Sequence, residues 1–538
     1  MDQITQICKF LLLLIIILTG HSQCKAKDEN IGEYGNYLSW SFAKNSNDLA
    51  NLKKFFKNIN LEKIEDSLLE EIFFESVILE EWEKADIISD LLIKRNKKNF
   101  SANLYKFFNG ILNNEKVEKY LENVETKYID LNFLKVIYIW KNFNNSEKIT
   151  YSYEDCLPII CMHYGISKVL KGEKDLAKKY FKSIEKGDFS SYRLKEILFY
   201  NSLSSNEKSS QKYLRDLENN DLNIKKYDQK FFEKNTHLLN PVLSQKDGMA
   251  EVLYNISSWF FSKDLYKYSA FFGKLSLKLR PNFNAMKLLL YAALEKLGYQ
   301  FLGSGFVQDL DLENIYYYKF LKIKLSLLED QNKDDEFLMN LRDFINEHPE
   351  RIEMKILFAD KFRRLENYKK AIQIYSEIIE KDNFKSKWKI LYSRGISYER
   401  INQWSKAEKD LQEALRLQPE DAYILNYLAY SWLDRKKNIE KALILLEKAV
   451  QIEPTDAYII DSLGWAYYLD NQIEKSVYFL EKAVSILPDD ATLNDHLGDA
   501  YWKSNRKNEA ISQWRRVLIL DPNFKEKPVI SKKIEKGL

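Results

Sequence analysis

The chain has 538 residues, 45% hydrophobic and 30% charged, the balance of a soluble folded protein. Its 82 basic and 79 acidic side chains leave a net charge of +3. That supplies no broad basic footprint for a phosphate backbone and excludes a nucleic acid as the expected partner. Only 16 Gly and 9 Pro stand against 34 Tyr and 31 Phe, which points to long helices joined through many bulky interfaces.

At the N-terminus, Lys9 precedes an unbroken apolar run from Phe10 to Leu18. The run is short of the ~20 residues that cross a bilayer but suits the core of a secretory signal. Thr19, Gly20, His21 and Ser22 break it, and a small-x-small site at Cys24 and Ala26 predicts a mature chain starting at Lys27. Residues 1–26 are therefore read as a signal peptide and the protein as periplasmic or envelope-associated. Cys24 is also a candidate for lipidation, which would attach the N-terminus to a membrane. His21, Ser22 and Gln23 lack the Leu and the small residue of a lipoprotein signal. Cys156 and Cys161 are five residues apart, about 140° around a helix. The expectation is two buried free thiols, with a disulfide as the alternative because Pro158 lies between them.

From residue 27 to 235 the chain reads as a degenerate array of helical pairs. "GNYLSWSFAKNSNDLANLKKFF" reads as a first hairpin, and "EEWEKADIISDLLIK" and "FNGILNNEKVEKYLENV" as hairpin pieces. "YGISKVLKGEKDLAKKYFKSI" sets small Gly165 and Ala177 with large Phe181. "SSNEKSSQ" from Ser204 is polar and predicts a loop, and "LGSGF" around Gly303 predicts another. Residues 236–248, "THLLNPVLSQKDG", carry Pro241, lack helical period and predict an extended linker. Residues 249–351 return to degenerate pairs, with Leu253, Phe260 and Pro281 in repeat-like order.

Residues 352–523 carry a strict period. Gly395, Ala429, Gly464 and Gly498 follow at intervals of 34, 35 and 34. Three residues after each stands Tyr398, Trp432, Tyr467 or Tyr501. Ala407, Ala442, Ser476 and Ala510 follow, then Leu411, Leu446, Leu480 and Trp514, then Ala414, Ala449, Ala483 and Val517. Each unit closes on proline, at 419, 454, 488 and 522. Small residues let paired helices approach, the aromatic fills the next gap, and proline stops the second helix. "PED", "PTD" and "PDD" place carboxylates where the next helix starts. A further unit upstream uses Ala359, Phe362, Ala371, Tyr375 and Ile378, with Asn383 for proline. In every slot this resembles the tetratricopeptide repeat (TPR). The expected fold is all-α, a TPR-type helical-hairpin solenoid wound as a right-handed superhelix, followed by a Lys-rich tail at 524–538.

Such a repeat buries its apolar side only against neighbours, and the first helix of each pair lines a concave groove. The candidate partner-binding residues are Asn426 with Tyr430, Asp461 with Trp465, and Asp495 with Asp499. Tyr423 and Tyr458 lie one turn earlier, Tyr468 and Trp502 one turn later. The lining is acidic and aromatic, without the cations that clamp a free carboxylate, and so favours backbone amides or basic side chains. No His-Glu-x-x-His, Cys-x-x-Cys, phosphate-loop or Gly-x-Ser-x-Gly pattern occurs. Neither catalytic nor metal-ligating residues nor a cofactor are therefore assigned. His496 beside the groove is read as packed or solvent-facing.

"LNYLAYSWLDR", "DAYIIDSLGWAYY", "LNDHLGDAYWK" and "AISQWRRVL", with "GMAEVLYNISSWF" upstream, resemble a family of bacterial cell-envelope TPR proteins. That family includes lipoprotein adaptors that bind a periplasmic C-terminal processing protease and present its substrates. The resemblance implies a non-enzymatic scaffold with a protein or peptide partner, an envelope protease among the candidates. The rival readings are an enzyme acting on an envelope polymer, with the array as cradle, and a cytosolic assembly scaffold. The first rival requires clustered buried carboxylates in a deep pocket of the N-terminal half.

Overall fold

The computed structural model describes residues 33–538 except 47, 49–50, 52–53, 55, 58–60, 62–63, 114, 116, 125–129, 145–150, 155, 185–190, 204–206, 219–227, 309–313 and 382–385. The signal peptide and Cys24 lie outside the described residues. Among those described there are 28 α-helices and no strand, so the fold is all-α. The chain divides into two compact units, 1–331 and 332–538. No helix among the described residues is long and apolar enough to cross a membrane.

Unit 1 opens with α1 (Glu33–Asn45), α2 (Asp66–Ile78), α3 (Trp82–Arg95), α4 (Phe100–Leu112), α5 (Glu118–Glu122) and α6 (Leu131–Lys141). It continues with α7 (Pro158–Leu170), α8 (Lys174–Ile184), α9 (Tyr192–Ser202), α10 (Glu207–Glu218) and α11 (Gln229–Lys234). A 3-10 turn (Thr236–Leu239) then leads to α12 (Gln245–Phe261), α13 (Tyr266–Leu279), α14 (Asn284–Lys296), α15 (Gln300–Gly303) and α16 (Tyr317–Asp330). The core is aromatic. Phe73 meets Tyr105 and Phe271 edge-on, each at 5.4 Å, and Phe260 stacks on Phe272 at 5.5 Å. In the α7–α8 hairpin, Gly165 lies against Phe181 so closely that a Cβ would stand 2.8 Å from the ring. The small residue there sets the approach of the two helices, as in the strict repeats.

Three expectations are corrected here. The stretch 204–211 is not all loop: α10 begins at Glu207 and buries Tyr213 and Leu217, four residues apart on one face. The segment around Gly303 is helical, closing against Tyr291. Residues 236–248 are extended only between the 3-10 turn and Gln245. Ser244 caps α12 by accepting from the Asp247 amide at 3.1 Å, and Asp247 Oδ2 accepts from the Leu243 amide at 3.0 Å. Ser244 and Asp247 thus fix the start of α12 from both sides, satisfying an amide inside the helix and one just before it.

The non-helical carbonyls at 240 and 241 find partners in a buried ionic cluster. Arg193 donates to Asn240 O at 2.8 Å, and Arg280 donates to Asn240 O and Pro241 O at 2.7 Å each. Arg193 pairs with Glu196 at 2.7 Å and also with Glu251, to which Arg280 donates at 3.0 Å. Tyr316 donates its hydroxyl to Glu196.

Cys156 and Cys161 form a disulfide with Cα atoms 5.6 Å apart, which corrects the expectation of free thiols. Pro158 starts α7, so Cys156 stands outside the helix and folds back to Cys161, and the 140° argument does not apply. Closing so short a loop restrains the unfolded chain by about 2 kcal/mol. Reduction, or Cys156→Ser, is expected to lower unit 1 stability by that amount in urea titrations. Thiol titration of the denatured, unreduced chain is expected to find neither cysteine reactive.

Unit 2 holds α17 (Asp334–Glu347), α18 (Ile352–Arg364), α19 (Tyr368–Lys381), α20 (Lys387–Arg400), α21 (Trp404–Leu417), α22 (Ala422–Asp434) and α23 (Ile439–Ile452). Then come α24 (Ala457–Leu469), α25 (Ile473–Ile486), α26 (Ala491–Lys503), α27 (Lys507–Leu520) and α28 (Lys527–Lys536). The last of these lies in the stretch read as a Lys-rich tail. Helices α18 to α27 pair as first and second helices of successive repeats. Every one of these hairpins turns through left-handed backbone: Glu366, Asn402, Asn471 and Asn505 singly, and Lys436 together with Asn438 between α22 and α23. Asn tolerates that backbone better than most residues, which explains its recurrence. Asp421, Asp456 and Asp490 accept from the amides two and three residues on, at 2.8–3.1 Å, and so cap the first helices as expected.

The aromatic slot does more than fill space. Trp432 donates to Glu408 at 2.6 Å, Tyr467 to Glu447 at 2.6 Å, and Tyr501 to Glu481 at 2.8 Å. In each case the acceptor lies on the second helix of the preceding repeat.

Candidate functional site

The ten groove candidates all lie on the first helices α22, α24 and α26, but they separate into an open set and a buried set. Tyr423 and Tyr458 occupy equivalent positions near the starts of α22 and α24 and are 55% and 56% exposed. The Tyr458 hydroxyl reaches the Asp490 cap at 3.2 Å. Tyr430 is partly exposed, and its hydroxyl pKa is pushed up to about 12 by burial, then by Asp461, Asp434 and Glu526. Asn426 is half-buried between these tyrosines, and its Oδ1 is buried without a hydrogen-bond partner.

The carboxylates are not the open acidic wall expected from the sequence. Asp461, Asp495 and Asp499 are only 4%, 8% and 6% exposed. His496 Nδ1 lies 2.8 Å from Asp461. Lys533, on α28, lies 2.7 Å from both Asp495 and Asp499. Asp499 also accepts from Trp514 Nε1 at 3.0 Å. Burial, then Asp495, raises the Asp499 pKa, while Lys533 and Trp514 oppose the rise. Trp465 is stacked between Tyr468 at 4.6 Å and His496 at 4.3 Å. Trp502 packs beside Trp514 at 5.5 Å. Its outer ring is met by Gly537, whose φ of +81° and absent Cβ both matter, because a Cβ would stand 1.9 Å from Trp502.

His496 and Lys533 were missing from the candidate set. Each stands one repeat beyond the carboxylate it meets, 35 residues after Asp461 and 34 after Asp499. The period that located the helices was therefore also the signal for these pairs. In the Lys533 case the tail lacks the small residue that marks a first helix.

Burial opposes charge on His496, but Asp461, with Asp495 and Asp499 behind it, outweighs that and raises its pKa. A raised histidine pKa contributes stability that is complete below the unfolded value of ~6.5 and is lost as pH rises through the folded value. The melting-temperature advantage of the wild type over His496→Gln should therefore be largest near about pH 6 and shrink toward about pH 9. A pH-independent difference would contradict this.

The buried carboxylates that an envelope enzyme would need do occur in unit 1, as Glu196 and Glu251, both fully buried. They are locked by Arg193, Arg280 and Tyr316 and line neither of two nearby cavities. The larger cavity, 550 Å3, is walled by side chains such as Lys174, Phe181, Tyr200 and Glu233. Among the described residues, no group of three or more His, Cys, Asp or Glu side chains is placed to hold a metal ion.

Paired helices with a small residue at each crossing, an aromatic hydrogen-bonded to the previous pair and an aspartate cap define unit 2 as a tetratricopeptide-type repeat array. Residues 392–457 match the tetratricopeptide repeat family. Over 32% of its length the chain is 24% identical to MamA (residues 41 to the end) from Desulfovibrio magneticus RS-1, covering 96% of that chain with a TM-score of 0.29. It is 18% identical to YrrB, described as a TPR protein with an unusual peptide-binding site, covering 36% of this chain and 97% of that one at a TM-score of 0.30. It is 16% identical to a chain of the APC/C hetero-tetramer Cut9-Hcn1, covering 88% of this chain and 96% of that one at a TM-score of 0.38.

Proposed function

We propose that this protein is an exported, non-enzymatic adaptor of the bacterial envelope that holds a protein or peptide segment across the first helices of unit 2. Its finer role would be to present substrates to a C-terminal processing protease, as the family resemblance implies. The observation that carries the binding role is the row formed by Tyr423, Asn426, Tyr430 and Tyr458. It offers open aromatic faces and tyrosine hydroxyls beside carboxylates already paired from within the chain. Such a face suits apolar side chains and backbone amides of an extended or helical segment. The disulfide in unit 1 supports an oxidising compartment, where such bonds form and persist.

The test is capture of partners from an envelope extract by the purified mature chain, against a variant with Tyr423, Tyr430 and Tyr458 all replaced by Ser. Tyr423 and Tyr458 are open and Tyr430 is partly exposed, so the variant is expected to fold and to lose the captured proteins. Equal capture by both would refute the assignment. Mass spectrometry of the native protein is expected to place its first residue near Lys27, and an intact Met1 would rule out processing there.

A further inference from the structure

Asp495 and Asp499 lie one turn apart on α26, almost fully buried, and a single ammonium bridges them. Two adjacent desolvated carboxylates require a cation, because each penalises the charge of the other. That cation comes from α28, a helix held lightly: only Ile530 and Lys533 are buried, with Ile534 and Phe524 half-buried beside them. Lys533 also lies 5.9 Å from the centre of the Trp514 ring, and just past the helix Gly537 meets Trp502.

We propose that α28 is a displaceable occupant of a receptor site for an amphipathic helix bearing an aliphatic residue, a lysine three residues on and a second aliphatic residue after it. A partner helix with that pattern inserts its lysine between Asp495 and Asp499 in place of Lys533 and uncovers Trp502. The inference rests on the peptide-binding reading above and names the partner's chemistry. Charge complementarity selects a lysine-bearing segment over an acidic one, since a carboxylate at this point would meet two others.

The probe is a fluorescein-labelled peptide of residues 524–538, followed by anisotropy against the full chain. The wild type is expected to bind it poorly, because its own α28 is present at a high effective concentration. An Ile530→Ser/Lys533→Gln chain, whose own helix is released, should bind it roughly tenfold or more tightly. A peptide carrying Gln at 533 should lose that gain. The single Lys533→Gln chain serves as a second host should the double variant melt early. The inference is overturned if a folded host binds no better than the wild type, or if the Gln peptide binds equally well. Tyr423 and Tyr458 lie outside this contact, so partner capture that depends on them, beside an indifferent peptide, would overturn this inference alone.

Discussion

Replacing Arg193 by Met is expected to destabilise unit 1 by about 3–5 kcal/mol, enough to remove most of a domain's margin. The guanidinium is buried, and it is the shared partner of Glu196, Glu251 and the Asn240 carbonyl. Without it, Glu196 keeps only the Tyr316 hydroxyl, and Glu251 keeps Arg280. Burial already raises the Glu196 pKa against the pull of Arg193, so the acid would take up a proton once the cation is gone. Adding Glu196→Gln to the variant replaces the carboxyl that burial would force to protonate with a neutral amide and is expected to restore part of the loss. Urea titration of the single and double variants measures both. A loss under about 1 kcal/mol, the range of exposed ion pairs, would show that water reaches the cluster.

Gly464→Val is expected to destabilise unit 2 by about 3 kcal/mol. A Cβ at 464 would stand 2.6 Å from Leu480 Cγ and 3.1 Å from the Leu480 backbone nitrogen. A side chain can turn aside, but the backbone yields only if α25 shifts as a whole. Gly464→Ala should cost less, since Ala429 fills the same slot and alanine gains ~1 kcal/mol of helix propensity over glycine. Because each repeat rests on its neighbours, hydrogen exchange is expected to rise across 457–520 and little in 368–400. Exchange confined to α24 and α25 would show that the repeats are energetically independent.

These two sites differ in how readable they were. Gly464 announced itself through spacing, because a crossing between helices tolerates only small residues and the period repeats it. Arg193 and Glu251 are 58 residues apart on elements with no shared period, so nothing local marked them as partners. The unit 1 hairpins were obscured by their turns. Glu80 and Asp264 adopt left-handed backbone where glycine is the usual marker. Helix α10 was hidden by polar residues that cover its exposed side. That the candidates lie on the first helices was legible, but their burial and pairing were not. The aspartates were visible, while their cations came from the next first helix and from the tail.

The bonds from Trp432, Tyr467 and Tyr501 back to Glu408, Glu447 and Glu481 bear on how such an array can grow. At these three junctions a module carries the acceptor for its successor, and the successor carries the donor. Tandem duplication of about 34 residues therefore leaves no orphaned donor at the new seam. From α21 onward the array can lengthen or shorten by whole modules with these junctions chemically closed.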